Sequence, residues 1–217
     1  MTAPDPTPTP AALRAALDDV LTPAGSRWLR SAEERTAASA GALAALFPAA
    51  GRACGTGRPA VPAGWTAADA ARVFLLLAVP LDEGRRLAGT LTCYRYGDAA
   101  ERRSVLRALP LLGLGPDAVE LTEDALRSHD HRLVEAAVGP YAQAHLGAPL
   151  WRHAVLTCLF TGVPLTAVAG LRSSCDATLL TMLEDLVRER RAAGRPVPPD
   201  AVALLAAACA DPPTKGA

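Results

Sequence analysis

The chain has 217 residues, half of them apolar and only 4% aromatic, with 22 basic and 22 acidic side chains and a pI near 6.9. That length and apolar content suffice for a sizeable core in one domain or a tight pair. The balanced charge excludes the overall positive field that draws a protein to nucleic acid or anionic lipid. Apolar positions are mostly Ala and Leu, with few β-branched or aromatic residues, which predicts helices and almost no sheet.

Residues 1–10 alternate Pro with Thr, Asp and Ala and read as a disordered tail. A short helix over 11–21 ends at Thr22-Pro23, and Pro23 opens a longer helix predicted to run to 47. Trp28, Ala32, Ser39, Leu43 and Phe47 trace its expected buried side. Residues 48–64 are dense in Gly and Pro and read as a long loop. Thr66 and Asp69 form a capping box that opens a helix to about 79, apolar all round at Val73 to Leu77 and therefore central. A helix over 82–96 follows, stopped by Gly97 in the C′ place, and Asp98 with Glu101 caps the next.

Further on, the spacing predicts stacked helical hairpins. Pro110 interrupts 98–112 and Pro140 interrupts 130–146, the two prolines 30 apart, with a partner helix over 116–127. Arg102 matches Arg132 at the same step, which fits HEAT- or armadillo-like units or, equally, an irregular α-α superhelix. The core strip is 151–171, WRHAVLTCLFTGVPLTAVAGL, uncharged from Ala154 to Leu171 and divided at Gly162-Val163-Pro164. Its first helix, 150–161, places Trp151, Val155, Cys158 and Leu159 on one side and Leu156 with Phe160 on another, so burial on most of its circumference is expected. A helix over 174–193 points Leu179, Met182, Leu183, Leu186 and Val187 inward and ends at Gly194; a last one spans 198–210, before a polar tail at 211–217. The whole reads as a single helical domain over 11–210. The N-terminus lacks a charged-then-apolar leader, and the longest apolar runs, 73–81 and 201–210, are half the ~20 residues a bilayer span needs, so a cytoplasmic protein without membrane insertion is expected.

Cys54, Cys93, Cys158, Cys175 and Cys209 are odd in number and show no CxxC spacing, which points to reduced thiols acting as small hydrophobes. His129, His131, His145 and His153 are all the histidines, and the first two diverge on a helix start, so a solvated corner fits better than a metal site. GRACGTG at 51–57 lacks the Lys-Ser/Thr ending of a phosphate loop, and Ser26, Ser31 and Ser104 lack a nucleophile elbow. No catalytic residue, metal or cofactor is expected. The one dense basic and aromatic patch is Arg85, Arg86, Arg95, Arg102, Arg103 and Arg107 with Tyr94 and Tyr96, flanked by Asp82, Glu83, Asp98 and Glu101. It is either a solvated face of local pairs or a groove for an anion or partner protein. The candidate binding residues are Arg95, Arg102, Arg103 and Arg107, followed by Trp151, Arg152, Glu189 and Arg195.

Five ordered blocks, LFPAAGR (46–52), WTAADAAR (65–72), YGDAAERRSVLRALPLL (96–112), the core strip and RERRAAGRPVPPD (188–200), together resemble the EboA family over about 28–205. The family often has Lys at the place of Thr157 and Asp at the place of Arg172, and this chain departs at both. The resemblance implies a setting, with no known activity of the protein itself. Such proteins are encoded in a bacterial gene cluster with a UbiA-like membrane prenyltransferase, a TatD-like metal hydrolase, a sugar-phosphate cyclase-like protein and a phosphodiesterase- or sugar-isomerase-like protein. In cyanobacteria that cluster is tied to export of a sunscreen-pigment precursor, elsewhere to small secondary metabolites.

The expectation that follows is a non-catalytic scaffold or adaptor in an ebo-type biosynthesis or precursor-export pathway, with the cluster's own proteins as partners. The alternative is an enzyme or carrier holding a prenylated or phosphorylated intermediate in a cavity lined by the helices of Phe74, Trp151 and Phe160, with arginines at its mouth. A nucleic-acid-binding repeat protein would need a concave Arg stripe, which the neutral balance disfavours.

Overall fold

Ala- and Leu-rich sequence folds here as composition dictates: a computed structural model is 76% helical, in thirteen α-helices and four short 3-10 segments, with no strand among the described residues. Those are 7–55, 57–59, 64–81 and 84–210, without the side chains of 209 and 210. Residues 1–6 of the tail expected over 1–10, the tail at 211–217, the Asp82-Glu83 helix start, part of the 48–64 loop and the Cys209 side chain lie outside them, whereas Thr9 and Pro10, expected in the tail, cap and open the first helix. No helix among the described residues is long and apolar enough to cross a membrane. The contacts divide the chain after Arg127 into two compact units.

The first unit holds α1 (Pro10–Asp18), α2 (Pro23–Ala38), α3 (Leu43–Cys54), α4 (Ala67–Ala78), α5 (Arg85–Tyr96), α6 (Ala99–Ala108) and α7 (Val119–Leu126). Helix α4 is its axis: every side chain from Ala67 to Leu76 is buried, and α1, α2, α3, α5 and α6 all pack on it. An all-round apolar helix has no other stable position. The Thr66–Asp69 capping box forms in both directions, with the Asp69 N–H donating to Thr66 Oγ1 at 3.1 Å and the Thr66 N–H to Asp69 Oδ2 at 2.9 Å.

Two expectations fail in this unit for one reason. The predicted helix over 23–47 breaks at Ser39, which is extended (φ −151°, ψ 112°), and after a 3-10 turn at Ala40–Ala42 the chain continues as α3. Consequently α3 runs through Pro48 to Cys54, and irregular chain starts there and not at 48. Folding back brings Leu29, Ala32 and Thr36 from α2, and Leu43, Leu46, Phe47, Ala50 and Cys54 from α3, into the core around α4. An unbroken helix would have carried half of those side chains away from it. Of the five positions expected on the buried side, Ala32, Leu43 and Phe47 are buried, whereas Trp28 is half-buried beside the buried Leu29 and Ser39, at the break, is exposed. Pro48 and Ala44, whose carbonyl loses its usual helical donor, are both exposed, which leaves that carbonyl to water.

Helix α5 ends at Gly97 as expected, though in an extended and not a left-handed conformation (φ −76°, ψ 153°). Glycine is required there by space: a Cβ would run into the Cys93 carbonyl and the Glu101 side chain. The next residue begins the Asp98–Glu101 box that caps α6, again bonded in both directions. Pro110 then ends α6 within a 3-10 turn at Leu109–Leu111.

The second unit holds α8 (His131–Ala137), α9 (Pro140–His145), α10 (Ala148–Thr161), α11 (Leu171–Ser174), α12 (Ala177–Ala192) and α13 (Pro199–Ala210). Pro140 separates α8 from α9 as predicted. Gly162, left-handed at φ +78°, ends α10 and lets the Val163 N–H reach the Cys158 carbonyl at 2.9 Å. Helix α10 buries Trp151, Ala154, Val155, Cys158 and Leu159, whereas Phe160 is 60% exposed. Burial on most of its circumference was therefore an overestimate: an uncharged stretch identifies a core helix but not how many of its sides are covered. Helix α12 starts at Ala177 and not at 174, because the Asp176 carboxylate caps it by accepting from the Leu179 N–H at 2.9 Å. Leu179, Leu183, Leu186 and Val187 face inward, and the chain leaves through Gly194 at φ +62°. Asp200 ties the start of α13 to the core strip by accepting from the Leu165 N–H at 2.7 Å.

Candidate functional site

An aspartate and an arginine one helical turn apart on an all-buried helix need partners, since burying either charge alone is costly. Asp69 and Arg72 of α4 find them on α6. Asp69 is fully buried and accepts from Ser104 Oγ at 2.7 Å, from Arg107 at 3.0 Å and from Arg103 at 3.3 Å, besides Thr66. Arg72 donates to the Phe47 carbonyl at 3.2 Å, to Ser104 Oγ at 3.3 Å and to Glu101 at 3.5 Å. Burial pushes the Asp69 carboxyl up, but Arg107, the Ser104 hydroxyl, the Thr66 N–H and Arg103 together outweigh it and hold the group below the usual carboxylate range. Arg107 also lies over the Trp65 ring, with 5.5 Å to its centroid, and Arg72 over Phe47 at the same distance.

The candidate arginines therefore separate into two kinds. Arg103 and Arg107 point inward as Asp69's counter-ions and hold α6 to α4, neither as a solvated face nor as an open groove. Arg102 and Arg95 face the other way. Arg102 donates to the Gly97 carbonyl at 3.1 Å and lies over the Tyr94 ring at 5.4 Å, while Arg95 is exposed. Between α5 and α7 these two line an open groove of about 350 Å³ with Tyr94, Glu120, Asp124 and Arg127. Its floor is set by the Tyr94 hydroxyl, which donates to Asp124 at 3.0 Å; burial and that carboxylate push the phenol above its ordinary range. Tyr96, at the end of α5, is 81% exposed.

Arg86 has a third role. Its guanidinium donates to the carbonyls of Leu77, Val79 and Leu112 at 2.8 to 3.0 Å, which closes the C-terminus of α4; burial lowers its pKa. Arg132, the sequence counterpart of Arg102, folds onto its own neighbour Asp130 at 3.1 Å, so the two arginines have different local roles.

The second group of candidates belongs to the second unit. Trp151 is buried core, and Arg152 is committed to Asp176 through contacts of 2.7 to 3.1 Å that position the α12 cap. Glu189 and Arg195 are exposed. Phe160 carries the Arg190 guanidinium at 5.7 Å, and Phe74, in the first unit, carries that of Arg14 at 3.6 Å. Cys54, Cys93 and Cys158 are buried free thiols, their pKa values pushed by burial up to about 11, 12 and 12. His129, His131 and His153 are exposed.

Sequence reasoning passed over Asp69, Arg72 and Ser104 as members of one network. The available signal is charge on a helix apolar on every side; the capping role that the spacing assigns to Asp69 is only part of what it does.

Neither curated proteins nor solved structures give a match to the chain. The family model for the metabolite traffic protein EboA matches residues 49–206, a span that takes in the Asp69 network, the α5–α7 groove and most of the second unit, and the chain belongs to that family.

Proposed function

We propose that the chain is a non-catalytic, HEAT-like helical adaptor, acting in the bacterial cytoplasm in a secondary-metabolite pathway of the ebo type. Its partners are the UbiA-like prenyltransferase, the TatD-like hydrolase or the cyclase-like protein encoded with such proteins. The observation that carries this reading is the division among the arginines. The charges of Arg103 and Arg107 are neutralised inside the fold, where they fix α4 against α6, and Arg95 remains exposed at an open groove that Tyr94 and Arg102 also line. Arg and Tyr lining a polar groove are the residue types that anchor protein partners. Family membership supplies the metabolite context.

The test is gentle affinity purification of the tagged chain from its native host, followed by mass spectrometry of co-purifying proteins and small molecules. Stoichiometric recovery of a cluster protein, lost in the Arg95→Glu, Arg102→Glu variant, is the expected result. Recovery of the chain alone with a bound small molecule would favour the carrier alternative and end the adaptor reading.

A further inference from the structure

Helix α13 is apolar in every direction yet largely uncovered. From Ala201 onward it has no charged side chain, and of its described side chains only Ala201 and Leu204 are buried; Val202 is 43% exposed. An all-round apolar helix on a surface needs a cover. Beside it, Val187, Arg188, Arg191 and Glu184 of α12 stand at three- and four-residue steps on one stripe, and with Val202, Leu205 and Ala206 of α13 they line an open groove. That groove has an apolar floor and a charged rim.

The rim identifies the occupant. No described residue pairs with Glu184 or Arg191, and the two lie at equal sequence distance on either side of the Val187–Arg188 midpoint. Antiparallel packing of α12 on its own copy, with a two-fold axis at that midpoint, sets each Glu184 opposite the partner's Arg191. Arg188, nearest the axis, is already neutralised by Asp185 at 2.7 Å, so like charges do not collide there. Such self-complementarity is what an isologous contact requires. We infer that the α12–α13 face binds a second copy of this chain, two helix pairs stacking as a four-helix layer that covers Val202, Leu205 and Ala206.

Light scattering on a sizing column tests this. At about 100 µM, well above a micromolar dissociation constant, a mass near twice the 22.4 kDa chain is expected. Glu184→Arg and Arg191→Glu are surface changes that leave the circular dichroism unchanged, and each raises the dimer dissociation constant about tenfold or more by opposing like charges. Mixing the two variants restores the dimer as a heterodimer, because both cross-pairs are then complementary. A monomeric unmodified chain at that concentration, or a mixture that fails to recover association, overturns the inference.

Discussion

Replacing Asp69 by Ala strips two guanidinium groups of their buried counter-ion and removes the carboxylate that returns to the Thr66 N–H. Breaking a buried pair from one side costs about 3–5 kcal/mol, because the charge left behind sits where little water reaches it. In a chain of this size that corresponds to a fall in melting temperature on the order of 10 °C. Asp69→Asn, which keeps the shape but not the charge, should lose roughly half as much. Urea unfolding followed by circular dichroism measures both. Adding Arg103→Met and Arg107→Met to Asp69→Ala should recover part of the loss, since two largely buried charges go with it. Acid sensitivity follows with a definite sign. The folded carboxyl titrates below its unfolded value of about 3.9, so its contribution is fully present above that pH and disappears as pH falls through the folded value. A cost below about 1 kcal/mol for Asp69→Ala would refute the view that this network joins α4 to α6.

Two further outcomes follow from single side chains. Arg86→Met leaves the Leu77, Val79 and Leu112 carbonyls without their donor and should cost about 2–3 kcal/mol, read from the urea midpoint; an unchanged midpoint would mean water replaces the guanidinium freely. In a Cys209→Ser background, Cys175 should react with a thiol reagent at pH 8 well before Cys54, Cys93 and Cys158, which are buried and held protonated until the chain unfolds. Equal rates for all four thiols would contradict the packing around α3, α5 and α10.

Local chemistry decided what could be read one residue at a time. Helicity came from Ala and Leu; the boxes at Thr66–Asp69 and Asp98–Glu101, the breaks at Pro110 and Pro140, and the glycine stops at Gly162 and Gly194 all act within one turn of chain and form as their spacing says. The family resemblance, carried by five ordered blocks, was legible for the same reason. Tertiary structure decided where those helices stop serving themselves. Ser39 breaks the predicted long helix because folding α3 back covers α4, a gain that no window around Ser39 contains. Phe160 stays exposed because burial depends on which neighbours arrive, and apolar sequence states only a readiness to be covered. Arg103 and Arg107 turn inward because Asp69, 34 and 38 positions earlier, is brought beneath them by the packing of α4 on α6. Charge spacing along a chain fixes pairs one helical turn apart; pairs between helices exist only once the core has placed the helices together.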